Sequence, residues 1–562
     1  MREQIIIADI PRYIVEQDAL AERKTDGKWR IVAYETAEIS GNLIWAQTEN
    51  TQEVTLRLNA TGKYRIYLGM INMGGETTTG IRLSNDAAKT QFIARGNECW
   101  SPIEWFEENY YGLKDLTGQN LIVSKPCRRN TTAALAWVRL VPVDTDEDEE
   151  KTETKCMAYH FDCDYYGEDA YKTAEEHLGR LKVLQGGGME LMLHEKLSAF
   201  DTLDAIDWEN ALSERERQTR PYVENRKEVE RLLVETAHTI GSKIFASYRM
   251  EGGSFVVPHE YVNSLYNDTW YEKHEEYRCQ TRDGRWVDVC SYAYPQVRQR
   301  TIDMLVQGAD GFDGVCLFFH RGTFVAFEKP VRDMVQEKYG VDACKLPITD
   351  ERLHKTFAHF IGLFLRELRA RLDSQYRIRK EINAIVYYDP VSSRNMGYDV
   401  ESWVNEGLVD SICQGLMMHF EDLTDCLDEN GLIDMQKYKT ELGKRFVVRR
   451  KISGDPTLIK DGAKAFLKIC EGKVDFYATL LWENCESEKD ICVLADELKA
   501  LGVKKFLSWN TNHKAKRPYF MNAEKYYVAG SPTLYEERKT RYLRTLSLGG
   551  KDISHYSPNW KG

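Results

Sequence analysis

His160, Asp162 and Asp164 stand at i, i+2 and i+4, so an extended chain carries all three on one face. An imidazole and two carboxylates in that arrangement suit a divalent cation or the hydroxyls of a sugar, and equally the capping of a turn. His194 and Glu195 form a second pair, which a neighbouring strand would bring to His160 and Asp162 as a cluster of metal-ligand type. Farther along, Glu483 follows Trp482 at the end of DFYATLLWE, and Asp389 follows Tyr388 at the end of INAIVYYD. A carboxyl group beside an aromatic ring suits acid–base work, because apolar surroundings favour its protonated form. Arg249, before Met-Glu-Gly-Gly, and the pair His320 and Arg321 are candidates to hold hydroxyls or a carboxylate, or to pair with neighbouring acids. Trp509 and Asn510 close the last apolar run, where a ring and an amide could meet a sugar.

The elements that must position these groups alternate between short apolar runs and helical patterns. Strand candidates are Met157 to Asp162, Met189 to Glu195, Lys243 to Arg249, Gly314 to Arg321, Ile382 to Asp389, Asp410 to Leu416, Arg445 to Arg450, Asp475 to Glu483 and Lys505 to Asn510. Helical patterns between them include Arg226 to Ile240, Leu353 to Leu372, Leu458 to Cys470 and Glu488 to Leu501. Val315 to Phe319 is a continuous apolar run, the pattern of a strand buried on both faces of a parallel sheet. Repeated βα units with no glycine-rich phosphate fingerprint after any strand favour a (β/α)8 barrel of TIM type. Such a barrel has eight places for nine candidates, and Arg445 to Arg450 or the last strand is the surplus one. Ligands bind at the carboxyl ends of barrel strands, where the candidate polar and aromatic groups of these runs fall.

Before the barrel, residues 1–145 read as a β-sandwich of jelly-roll type, with runs Trp29 to Ile39, Gln52 to Leu58, Lys63 to Met70, Thr79 to Ser84, Lys89 to Ala94, Asn120 to Ser124 and Ala133 to Val143 separated by turn clusters. The chain is therefore multidomain, α and β. An acidic linker spans 146–154, within and beyond the run Asp144 to Glu150, and the barrel occupies 155–515. The tail, 516–562, carries short β-like pieces, YLRTLSLGG and DISHYSP, that suit a return to the sandwich.

The 562 residues include 76 basic and 88 acidic side chains, a net charge of -12, which argues against nucleic acid or an anionic membrane as partner. No apolar run is long enough to span a bilayer. With no signal-like N-terminus and 13 Cys lacking any C-x-x-C pair, the expectation is a cytoplasmic protein with free buried thiols. No cofactor is expected, save a divalent metal if His160, Asp162, His194 and Glu195 assemble.

The segment Trp270 to Arg321 resembles bacterial glycoside-hydrolase-like barrel proteins of the family-10-glycosylhydrolase-like kind. The matching residues are His274, Glu275, Glu276, Asp283 and Gly284, then Pro295, Val297 and Arg298, then Asp313, Gly314, Val315 and Arg321. Phe318 and Phe319 stand where many such proteins carry an acid. Glu328, in Ala326-Phe327-Glu328-Lys329-Pro330, resembles a Tyr-Glu-x-Pro element of related barrels, which implies a general acid above the fourth strand; favouring the following helix N-terminus is its other role.

The resemblance implies a glycoside hydrolase with Glu328 as general acid and an oligosaccharide or glycoside as substrate; the position of Glu483 at a strand end beside Trp482 makes it the expected nucleophile or base, with Asp389 in reserve. Asp162, Asp164, His194, Arg249, His320, Arg321, Tyr388, Trp482, Trp509 and Asn510 would bind the substrate. Two other readings stand beside this one. The first is a metal-dependent hydrolase or isomerase on the His/Asp/His/Glu set, although such barrels more usually show His-x-His on the first strand. The second is a carbohydrate-binding barrel without catalysis.

Overall fold

In the computed structural model the chain divides into two compact units. The structure describes residues 2–73, 76–86, 90–94, 104–125, 131–143, 156–161, 188–196, 226–250, 270, 274–280, 282, 284, 286–319, 324–347, 349–415, 417–418, 450–451, 456–480, 488–508 and 540–553.

One unit is built on a large, mostly antiparallel sheet. Its strand path runs Ile5–Ile7, Trp137–Pro142, Lys63–Ile71, Trp105–Asp115, Arg541–Leu548, Trp29–Thr36, Ser40–Ala46, Thr131–Leu135, Glu76–Leu83, Leu121–Ser124 and Val54–Leu56. Leu56, Leu83, Leu121 and Val123 from one end of that path share a core with Ile66, Leu68, Val138 and Leu140 from the other. The sheet therefore folds over on itself, which buries the apolar side of both ends. The tail strand lies inside the path, antiparallel to both Trp105–Asp115 and Trp29–Thr36.

Three features of this sheet were not visible in the apolar pattern. The expected run Ala133 to Val143 is two strands that meet at Ala136. Ser40–Ala46 pairs with Trp29–Thr36 as a hairpin. Trp105–Asp115, among the longest strands, contains Glu107, Glu108 and Asn109, all buried. Glu108 accepts hydrogen bonds from Trp137 Nε1 at 2.8 Å, Arg139 Nε at 3.0 Å and Arg541 Nη1 at 3.0 Å, so its burial is compensated by three donors and two positive charges. Burial pushes its pKa up, but the hydrogen bonds from Arg139 and Trp137 and the two guanidinium charges outweigh this and hold it below the ordinary carboxylate value. Gly69 faces Trp137, and a Cβ there would lie 2.0 Å from the indole, so only glycine admits the ring.

The second unit is a closed barrel of eight parallel strands: β1 (Met157–Phe161), β2 (Met189–Glu195), β3 (Lys243–Arg249), β4 (Gly314–Phe318), β5 (Glu381–Val386), β6 (Ser411–Gln414), β7 (Asp475–Thr479) and β8 (Lys505–Ser508). The surplus candidate is Arg445 to Arg450. Its described end, Arg450–Lys451, pairs with Met417–Met418 in a separate two-stranded sheet. A segment so rich in arginine and lysine is unsuited to a strand buried on both faces. All five residues of β4 are buried, in line with its unbroken apolar run. The helix Pro295–Gly308 leads into it, and Lys329–Tyr339 and Glu351–Gln375 follow it before β5.

The barrel interior is polar in layers. At the amino-terminal end the Tyr477 hydroxyl donates to Glu190, while Lys505 Nζ lies 2.9 Å from Glu190 and 2.8 Å from Asp475. Burial, with the Glu190 carboxylate beside it, pushes the Tyr477 phenol well above its ordinary pKa. Midway, Asn383 on β5 lies 3.1 Å from the Cys316 thiol, 2.7 Å from Ser411 Oγ and 3.3 Å from Cys413 Sγ. The described cysteines are free thiols, and Cys290, Cys316, Cys413 and Cys470 are buried. No described helix is long and apolar enough to cross a membrane.

Candidate functional site

The groups that meet at the carboxyl ends of the strands come from β1, β2 and β3. Alternation along β2 turns Leu193 and Glu195 to one side and His194 to the other. Glu195 Oε1 lies 2.5 Å from Arg249 Nε, and its Oε2 lies 3.3 Å from His160 Nε2. The side chains of His160 and Glu195 are each 1 % exposed and that of Arg249 is 20 % exposed, so the guanidinium is the solvent-facing member above a buried acid. His160 stacks on Phe318 of β4, with ring centroids 5.4 Å apart and planes 10° apart. These rings come from strands separated by β2 and β3, so both project into the barrel. Phe318, which replaces an expected acid, thus forms the wall that orients the imidazole.

His194 does not join this cluster. Its ring stacks on Phe312, ahead of β4, at 6.2 Å and 7°. Lys196, two residues on and on the same side of the strand's course, reaches Glu230 on the helix Arg226–Thr239 at 3.0 Å. Of the expected set, His194 is therefore separated from His160 and Glu195 by strand alternation. Among the described residues no three metal-ligating side chains converge. Asp162, Asp164, His320, Arg321, Trp482, Glu483, Trp509 and Asn510 lie outside the described residues.

Two of the expected catalytic carboxylates have backbone partners. Asp389 follows β5 as the N-cap of the helix Pro390–Asn395. One oxygen accepts from the amides of Val391 at 2.8 Å and Ser392 at 3.0 Å, and the other from Ser392 Oγ at 2.5 Å. That is the satisfaction a helix start demands. The carbonyl of Tyr388, beside it, accepts from Gln414 Nε2 at 2.8 Å.

Glu328 precedes the helix Lys329–Tyr339 and is completely buried. It accepts from Ser291 Oγ, from the Ala326 amide at 3.1 Å and from the Gln280 amide at 3.4 Å. Burial pushes its pKa up, against the opposing effect of these bonds. The bonds tie the loop after β4 to the hairpin Arg278–Gln280 and Trp286–Cys290, which lies in the long connection after β3. Phe327 N donates to Gln280 O at 2.9 Å and Tyr292 N to Phe324 O at 2.8 Å, so backbone bonds reinforce the same junction.

The described aromatic residues of the connection after β3 divide in two. Tyr292 is 0 % exposed and stacks between Phe324 and Phe364 as core. Trp270 and Tyr294 are partly exposed and join His274 and Tyr277 in one connected group of rings. Tyr277 carried no sequence signal of its own, since a tyrosine after two glutamates reads as an ordinary turn.

No family model and no curated protein matches the chain. Solved structures do. The cycloisomaltooligosaccharide glucanotransferase of Paenibacillus sp. is similar at 10% identity and a TM-score of 0.33 over 81% of this chain and 53% of its own, so this chain spans about half of that protein. The β-(1,4)-mannanase of Podospora anserina is similar at 9% identity and a TM-score of 0.28, over 93% of this chain and 95% of its own. The α-galactosidase of Lactobacillus brevis is similar at 10% identity and a TM-score of 0.32, over 89% of this chain and 63% of its own.

Proposed function

We propose that the barrel is a glycoside hydrolase whose reacting sugar sits at the carboxyl ends of β1, β2 and β3. The observation that carries this reading is the grouping of Glu195 with Arg249 and His160. Glycoside hydrolysis needs one carboxylate to act as nucleophile or base and one carboxylic acid to protonate the leaving oxygen. An arginine-paired glutamate at a strand end suits the first role, because the guanidinium fixes the carboxylate's orientation and supports its charge. His160, held flat against Phe318, lies 3.3 Å from the same carboxylate and helps to orient it.

Glu483, in the connection after β7, is assigned the acid role. The group expected for that role, Glu328, is given a different one: its oxygens face the hairpin and loop amides, so it holds the connections after β3 and β4 together. Asp389 is assigned to capping on the same grounds. A spacing of about 5 Å between Glu195 and Glu483 would give retention of configuration, and about 6.5–9.5 Å would give inversion.

The test is turnover of a panel of aryl glycosides and oligosaccharides by the full chain, repeated with Glu195→Gln and Glu483→Gln. Loss of activity in both variants with folding intact supports the assignment. Glycan binding without turnover across the panel would replace it with a non-catalytic carbohydrate-binding barrel, and activity abolished by a chelator would replace it with metal chemistry.

A further inference from the structure

The connection between β3 and the helix Pro295–Gly308 occupies the substrate end of the barrel and carries four aromatic rings that the chemistry above does not use. Trp270 and His274 have ring centroids 4.4 Å apart, His274 and Tyr277 5.5 Å, Trp270 and Tyr277 5.9 Å, and Tyr277 and Tyr294 5.3 Å. The plane of Tyr277 lies at 20° to that of Trp270 and 21° to that of His274, while Trp270 and His274 are tilted by 40° to each other. All four residues are partly exposed, whereas Tyr292, between Tyr277 and Tyr294 in the chain, is in the core. Rings left partly in solvent next to a core that takes up their neighbours form a surface rather than packing.

The groups at its margin are those a saccharide uses. Glu276 lies 2.8 Å from His274 Nδ1, and Glu275 lies 3.0 Å from Arg278. The glutamate side chains are 56 % and 66 % exposed respectively. Carboxylates accept from hydroxyls, guanidinium donates to them, and the flat C–H faces of pyranose rings lie against aromatic rings. The surface is also held to the barrel: Tyr277 O accepts from the Ser291 amide at 2.8 Å, and Ser291 Oγ donates to buried Glu328. Anchorage of that kind limits the entropy lost when a ligand stacks on the rings.

We infer that Trp270, His274, Tyr277 and Tyr294 form a stacking subsite for the distal sugars of an oligosaccharide or polysaccharide chain. The inference rests on the proposed glycosidase reading for its ligand class and adds to it that the ligand is a chain rather than a single glycoside.

Calorimetric titration of the full protein with cello-, xylo-, manno- and maltohexaose, and with the matching disaccharides, tests it. At least one hexaose binds, and more tightly than its disaccharide. Tyr277→Ala weakens that binding about tenfold, while Tyr277→Phe, which keeps the ring, stays within about twofold. Trp270→Ala repeats the loss, a second reading should the tyrosine variant fail to fold. Absence of hexaose binding, or equal affinity in Tyr277→Ala and Trp270→Ala, overturns the inference. Turnover of the same sugars is recorded separately: binding without product leaves the subsite standing and removes the hydrolase, and turnover indifferent to both alanine variants removes the subsite alone.

Discussion

Replacing Arg139 by methionine probes how the sheet unit holds a buried charge. Arg139 Nε donates to Glu108 at 3.0 Å and its Nη2 reaches the other oxygen at 2.5 Å, with side-chain exposures of 14% and 0%. Methionine keeps most of the apolar stem and removes the charge, its two bonds and the guanidinium contact 4.0 Å over the Tyr67 ring. Breaking a buried pair by deleting one partner costs about 3–5 kcal/mol, because the remaining charge is uncompensated. Here Arg541 and Trp137 still donate to Glu108 and offset part of that, which places the expected loss at about 3 kcal/mol. The assay is urea unfolding at several pH values, read on the sheet unit's transition. Glu108 has its folded pKa held below the ordinary carboxylate value of 4.5, so the stability it contributes is present above 4.5 and lost as pH falls through the folded value. The penalty of Arg139→Met should accordingly be full at neutral pH and shrink in acid as Glu108 is protonated. A loss below about 1 kcal/mol at neutral pH, or one that does not shrink in acid, would refute the reasoning.

Deleting residues from Arg541 onward should expose both neighbouring strand edges and remove one donor from Glu108, seen as lost amide-exchange protection in Trp105–Asp115 and Trp29–Thr36. Gly462→Ala should destabilise the barrel by about 1–3 kcal/mol, since its Cβ would lie 2.0 Å from the Tyr388 carbonyl oxygen; a melting temperature equal to that of the native chain would contradict this. Glu328→Ala should leave the Gln280 and Ala326 amides and the Ser291 hydroxyl without their acceptor, and proteolysis should then cut the connection after β3 or β4 faster than in the native protein.

The barrel was legible because β4 is an unbroken apolar run, the other strands are short and largely apolar, and helical periods of the right length lie between them. Glu351–Gln375 and Thr457–Cys470 fall within a few residues of their expected bounds. Trp105–Asp115 was not legible, because burial of Glu108 depends on Arg139 and Arg541, which are far from it in the chain. The site was read in part. Spacing placed His160 and Glu195 correctly at adjacent strand ends, but treated His194 as their companion although it is next to Glu195 and must face the other way. An acid after a strand and before a helix reads alike from sequence whether it is catalytic, caps the helix as Asp389 does, or ties loop amides together as Glu328 does. Only their hydrogen-bond partners distinguish these uses.

The most direct test of the account is kcat/KM of Glu195→Gln on whichever glycoside the native protein turns over, measured with a circular dichroism spectrum of the same sample. A carboxylate that acts as nucleophile or base predicts a fall of about a thousandfold with the spectrum unchanged. A rate within about tenfold of native, with the spectrum unchanged, would contradict the assignment of the reaction to Glu195.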